Sequence, residues 1–281
     1  MPTQLADSAD FERSDTLQLA LDAITDRLGN TGFYFDFDGT LAEIQDDPQT
    51  VQPVPGVMEA LSALSGNIGR IGIISARNAS FLCSRFGGLK GVQLYGLYGL
   101  EEIGADGTVV VGPEATPWIG VIEELLERAL RELPGDVYVE DKGLSLGLHY
   151  RRAPHTRSVI EKWADVVAAQ VGVQVQQGRM VVELKPPIST DKGTILESHI
   201  SELSAAWYFG DDVGDLPAYA VLHERARADG SFSALAIAVG NDEAIDDVIR
   251  TADIIVSSPS MLVELLRYVA RYLTSVPSEE N

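Results

Sequence analysis

Asp36-Phe37-Asp38-Gly39-Thr40-Leu41 follows directly on Gly32-Phe33-Tyr34-Phe35, and that junction decides the fold. The aromatic run has the composition of a buried strand, so two acids one residue apart stand where a strand gives way to a loop. Ligands of open α/β sheets bind at such carboxyl ends. Gly39 permits a sharp turn between the acids and the residues that follow. One carboxylate can attack phosphorus while the other moves protons, and both are hard oxygen ligands for Mg²⁺. The plainer alternative is an acidic turn that merely ends a strand. What lies outward from the junction weighs against it.

Upstream, residues 14–28 have a helical pattern. Downstream, helix and strand signals alternate: a helix over 57–64, a strand over 70–74, a short helix over 78–85 and a strand over 92–98. This alternation predicts parallel βαβ units. A turn-rich stretch over 104–113 breaks it. The segment 112–188 then reads α-β-β-α-β-β, with helices after Thr116-Pro117 and from about residue 154, strands at 136–139 and 144–150, and a hairpin around Gly178. From 189 the parallel pattern resumes, with Ser189 or Thr190 capping a helix, strands at 205–209, 235–239 and 254–256, and a final helix opened by Ser258-Pro259. The expected class is α/β, a Rossmann-like parallel-sheet core formed by residues 1–111 and 189–281. An α+β domain of residues 112–188 is inserted into it, with Pro186-Pro187 as its return hinge, and residues 1–29 form an N-terminal extension and helix.

The whole chain sets limits. Its 281 residues suit two domains, and 45% hydrophobic with 22% charged residues is ordinary for a globular protein. No apolar run approaches the ~20 residues of a membrane span, the N-terminus lacks an apolar signal core, and the single Cys83 excludes an intrachain disulfide framework. These features predict a cytoplasmic protein. A net charge of −21 argues against nucleic acid or an anionic membrane as partner. An anionic substrate would need a metal and a few fixed cations to reverse the sign locally.

Four pieces of sequence meet that need. They are Asp36-Phe37-Asp38, Ser75-Ala76-Arg77 after a strand, Lys192 in Thr190-Asp191-Lys192-Gly193 at a helix start, and Gly210-Asp211-Asp212-Val213-Gly214-Asp215 after another strand. Each has a plain structural reading: Ser75 as a helix cap, Lys192 on a solvated face, Asp211 and Asp212 as a turn with Asp215 as its cap. A lysine in a first helical turn opposes the helix dipole, however, and so needs a reason. Together the four supply metal ligands and local positive charge around one phosphoryl group. The four histidines lack ligand spacing for zinc, and Cys83, Trp118, Trp163 and Trp207 read as packing residues.

In this order the four pieces resemble the motifs of the haloacid dehalogenase superfamily of aspartyl-nucleophile phosphohydrolases, and the insert resembles its C2-type cap. Further stretches resemble the trehalose-6-phosphate phosphatase family: Val139-Glu140-Asp141-Lys142, His149-Tyr150-Arg151, and Gly178-Arg179-Met180-Val181-Val182-Glu183-Leu184-Lys185-Pro186. The resemblance covers about residues 30–270. It implies that Asp36 is the nucleophile and Asp38 the general acid and base. Ser75 and Lys192 would bind phosphoryl oxygens, with Thr40 orienting the group. Mg²⁺ would be held by the Asp36 carboxylate, the Asp38 backbone carbonyl and Asp211, supported by Asp212 and Asp215. Arg77, Glu140, Lys142, Arg151 and Glu183 would contact substrate, trehalose 6-phosphate, as the cap closes over the core. A trehalose-6-phosphate synthase would be a functional partner.

Read from spacing alone, Glu140 and Lys142 also suit a cross-strand salt-bridge ladder. Ala76 stands where relatives usually have glycine, Tyr98 where many have histidine, and Leu216-Pro217 where acids are common. Two other readings stay open: the same chemistry on glucosyl- or mannosyl-3-phosphoglycerate or sucrose phosphate, and a non-catalytic sugar-phosphate-binding regulatory subunit.

Overall fold

The computed structural model describes residues 2–45, 47, 49–178, 180–240 and 246–275. Arg179 of the Gly178-Arg179-Met180 stretch lies outside them, as does the C-terminal tail from residue 276. The chain divides into two compact units, Met1–Val109 with Thr190–Asn281, and Val110–Ser189.

The strands in chain order are β1 (Thr3–Leu5), β2 (Thr31–Phe35), β3 (Arg70–Ile74), β4 (Val92–Gly96), β5 (Glu101–Ile103), β6 (Val109–Val111), β7 (Tyr138–Asp141), β8 (Leu146–His149), β9 (Gln174–Gly178), β10 (Val181–Lys185), β11 (Ala205–Gly210), β12 (Ser233–Val239) and β13 (Ile254–Val256). Among the described residues the first unit's sheet runs β1-β13-β12-β11-β2-β3-β4-β5-β6. It is parallel from β1 through β4 and turns antiparallel at β5. From β2 the chain builds outward through β3 and β4 on one side, and later through β11, β12 and β13 on the other. The order therefore reverses beside β2, and such a switch point opens a crevice at the carboxyl ends of the strands.

Alternation along these strands fills two cores. Phe33, Phe35, Ile71, Ile73, Trp207 and Phe209 face one side, where the helices Asp15–Thr25, Val57–Ser65 and Pro259–Ser275 cover them. Tyr34, Ile74, Ala206 and Tyr208 face the other, beneath Lys192–Ile200 and Leu216–Ala228. Both faces being buried explains why β2 and β11 read as continuous apolar runs. Phe33 stacks on Trp207 at 4.6 Å and Phe35 on Phe209 at 4.4 Å, which ties the two central strands in register.

Three local readings are corrected. The N-terminal stretch contributes β1, paired parallel to β13 at the sheet edge; three residues leave little periodicity to read. The expected 92–98 strand ends at Gly96, because Leu97 (φ 47°) and Tyr98 (φ 56°) turn left-handed ahead of Gly99 (φ 84°). The helix after residue 189 is capped by Asp191, whose side chain accepts from the Thr194 amide, and not by Ser189 or Thr190.

The second unit is a four-stranded antiparallel sheet, β7-β8-β10-β9. Val139, Leu146, Leu148, Val182 and Leu184 pack one of its faces against the helices Ile119–Glu132 and Arg157–Val171. The other face carries Tyr138, Glu140, His149 and Glu183, which alternate with that apolar set. No helix among the described residues is long and apolar enough to cross a membrane.

Candidate active site

Asp36 follows β2, Ser75 follows β3 and Asp211 follows β11, so three of the four sequence pieces meet where the strand order reverses. The Asp36 amide donates to the Phe209 carbonyl at 2.8 Å, which continues the β2–β11 ladder into the loop. Gly39 adopts φ 84°, and a Cβ there would come within 2.0 Å of Asp211 Oδ2. Glycine at 39 thus lets the first loop close against the last acidic motif.

Lys192 brings in the fourth piece. Its ammonium, at the first turn of the helix Lys192–Ile200, is buried and lies 2.7 Å from Asp215 Oδ1 and 3.0 Å from Asp36 Oδ1. Those two carboxylates supply the reason a lysine is tolerated where the helix dipole opposes it. Burial by itself would pull the Lys192 ammonium down, but Asp215 and Asp36 outweigh it and hold it above its ordinary value.

Asp215, which the sequence suggested only as support, organises the site. Its Oδ1 accepts from Lys192 and from the Tyr208 hydroxyl at 2.8 Å, and its Oδ2 accepts from the amides of Asp211 and Asp212. With each oxygen holding two donors, its task is to position rather than to react. Asp212 is half-exposed, accepts from the Gly214 amide and stands 4.0 Å from Lys192. Thr40 is fully buried and donates its hydroxyl to Asp211 Oδ1 at 3.1 Å, so that hydroxyl serves the carboxylate.

Carboxylate oxygens of Asp36, Asp211 and Asp215 all lie within 4.8 Å of one another. Burial lifts the Asp36 carboxyl well above its usual range, against the opposing pull of Lys192. Burial, and then repulsion from Asp215 and Asp212, pushes Asp211 up to about 7. Three buried carboxylates face one ammonium, and the excess negative charge is what a divalent cation would relieve. The donors are all hard oxygens, the set that suits such a cation. The cluster fits a metal.

Ser75 is buried; its amide donates to Tyr95 and its Oγ accepts from the Arg77 amide. Arg77 is joined to Asp38 by a fork, Nε to Oδ2 at 2.8 Å and Nη2 to Oδ1 at 2.7 Å. Nothing in the types or spacing of residues 38 and 77 signals this pairing. Ala76, where the resemblance leads one to expect glycine, is exposed. The left-handed turn at Leu97 and Tyr98 ties the motifs together. Leu97 and Tyr98 amides donate to the carbonyls of Arg77 and Ser75, and the Tyr98 carbonyl accepts from Thr190 Oγ1.

In the second unit, Lys142 Nζ lies 3.3 Å from Glu183 Oε2, and Ser145 Oγ donates to Glu183 Oε1 at 2.7 Å. Glu140 pairs with His149, a residue that sequence reading set aside. Register could have found it, since His149 stands one row from Glu140 on the same face. Arg151 is exposed in the turn beyond β8.

The trehalose-phosphatase family model matches residues 34–252. A trehalose-phosphate phosphatase of Mycobacterium ulcerans is 37% identical over 199 residues, 66% of this chain and 50% of that protein. The chain thus spans about half the length of the curated relatives it matches. The solved C-terminal domain of Candida albicans trehalose-6-phosphate phosphatase superposes with a TM-score of 0.67 at 24% identity, over 92% of this chain and 98% of that one. A haloacid dehalogenase-like hydrolase from Bacteroides thetaiotaomicron shares the fold at TM-score 0.56 and 16% identity, over 85% of this chain and 99% of that one. With its Rossmann-like core, its insert and a family match over most of its length, the chain belongs to the trehalose-phosphatase family.

Proposed function

We propose that this protein is a Mg²⁺-dependent phosphatase that hydrolyses trehalose 6-phosphate to trehalose and phosphate. The observation that carries the reading is the buried Lys192 ammonium between Asp36 and Asp215, with Asp211 beside them. Phosphoryl transfer needs positioned charge more than elaborate covalent machinery, and this cluster supplies it.

Asp36 attacks phosphorus, forming an acyl phosphate as the bond to the sugar oxygen breaks; Asp38 gives that oxygen its proton. Asp38 then takes a proton from water, which attacks phosphorus, releases phosphate and restores the Asp36 carboxylate. The Arg77 fork holds Asp38 as the carboxylate and orients it for the second of these steps, in which it takes the proton of water. Lys192 and Ser75 bind phosphoryl oxygens, while Thr40 and Asp215 hold Asp211 and Lys192 in place. Asp36 and Asp211 through their carboxylates, with residue 38 through its backbone carbonyl and Asp212 in support, would hold Mg²⁺. The ion when bound offsets the carboxylate charge and polarises the phosphoryl group.

The inserted unit is the specificity element, with Glu140, Lys142, Arg151 and Glu183 as contacts to sugar hydroxyls, which need both donors and acceptors. A synthase forming trehalose 6-phosphate would supply the substrate, and the single cysteine suits a cytoplasmic setting.

The test is a phosphate-release panel with Mg²⁺ across trehalose 6-phosphate, sucrose phosphate and glucosyl- and mannosyl-3-phosphoglycerate. Preference for trehalose 6-phosphate is expected. Turnover of another ester alone would reassign the substrate, and turnover of none would favour a regulatory role.

A further inference from the structure

On the polar face of the inserted unit, Tyr138 stands directly opposite His149 across β7 and β8. Their ring centroids are 5.5 Å apart with planes inclined by 39°. His149 Nε2 in turn shares a 2.8 Å hydrogen bond with Glu140 Oε2. Gly147 lies opposite Glu140 in the ladder, and a Cβ there would sit 3.1 Å from His149 Nε2 and 3.2 Å from Glu140 Oε2. The missing side chain gives the imidazole and carboxylate room to lie over β8.

Tyr138 is nevertheless 47% exposed, a large ring presented on a face of acids, lysine and amides. Gln176 extends that face, in register with Glu183 on β10. An exposed aromatic ring beside fixed carboxylates and an ammonium is suited to a pyranose. The ring's negative π face attracts the partly positive C–H bonds on the apolar side of the sugar, while the hydroxyls on its edge need both acceptors and donors. Tyrosine offers this area with few rotors to immobilise.

We propose that Tyr138, backed by His149, is the platform on which a pyranose ring of the substrate stacks, beside Glu140, Lys142 and Glu183. This rests on the sugar-phosphate reading and names the aromatic subsite within it. Phosphate chemistry itself does not involve Tyr138.

The test compares Tyr138→Ala, Tyr138→Phe and Tyr138→Trp on trehalose 6-phosphate and on p-nitrophenyl phosphate, an ester without a sugar. Tyr138→Ala is expected to raise KM for trehalose 6-phosphate by about 10-fold, the equivalent of one good aromatic contact. It should leave kcat/KM for the aryl ester unchanged, and Phe and Trp should restore the sugar substrate. An unchanged KM, an equal loss on both esters, or no rescue by Phe and Trp would overturn the platform. A wild-type protein that cleaves the aryl ester but no sugar phosphate would overturn the sugar-phosphate reading and the platform with it.

Discussion

Asp215 Oδ1 and Lys192 Nζ lie 2.7 Å apart, both buried. Removing one partner of a buried pair leaves the other charge uncompensated, which costs about 3–5 kcal/mol. Asp215→Asn should therefore lower stability by that order in urea denaturation. It should also cut turnover by at least ~10²-fold, because the Lys192 ammonium loses its anchor beside Asp36. A variant with normal turnover would show that Asp215 does not position Lys192.

The Asp38 and Arg77 fork predicts a different balance between stability and activity. Asp38's side chain is 35% exposed, so the pair adds at most about 1 kcal/mol to stability. Arg77→Lys keeps the charge but loses the planar two-pronged contact. Its melting temperature should stay near that of the wild type while kcat falls at least ~10-fold. Equal kcat in the two proteins would contradict an orienting role for Arg77.

Asp211 gives the metal-free protein a characteristic pH dependence. Its carboxyl is pushed up to about 7, burial being the main cause, against roughly 3.9 in an unfolded chain. Between those values the folded state keeps a proton that the unfolded state has released. Stability contributed by this group therefore falls as pH rises from about 4 to 7. Thermal denaturation with chelator should show the decline, Asp211→Asn should make it shallower while the raised Asp36 carboxyl keeps its share, and added Mg²⁺ should raise the melting temperature more at pH 8 than at pH 5. A Mg²⁺ effect independent of both pH and Asp211 would count against a metal at this cluster.

Gly39→Ala should damage the site twice over. At φ 84° a side chain is strained by about 1–3 kcal/mol, and its methyl would run into the Asp211 carboxylate. Turnover should drop and the Mg²⁺ concentration for half-activity should rise. Wild-type metal dependence in this variant would mean that Asp211 has room to move without consequence.

The parts of this architecture that were readable in the sequence are those where composition and position agree. Phe33-Tyr34-Phe35 is aromatic because both faces of β2 are covered, so the following Asp36 and Asp38 could be assigned to a strand end. The central role of Asp215 was not readable, because its four donors come from Lys192, Tyr208 and two amides that only the fold assembles. Leu97 and Tyr98 leave no mark in composition, since neither is a residue that favours the left-handed region. The pairing of His149 with Glu140 depends on the β7–β8 register. Strands were expected at 136–139 and 144–150, but the row in which each side chain falls becomes clear only when the strands are paired.

Asp36 as the nucleophile of a Mg²⁺-dependent trehalose-6-phosphate phosphatase is the assignment on which the other roles depend. The most direct measurement is phosphate release from trehalose 6-phosphate with Mg²⁺ by the wild-type protein and by Asp36→Asn, both checked for the same fold by circular dichroism. Turnover by the wild type and a loss of at least ~10⁴-fold in Asp36→Asn are expected. Wild-type rates from the Asp36→Asn protein would contradict the assignment.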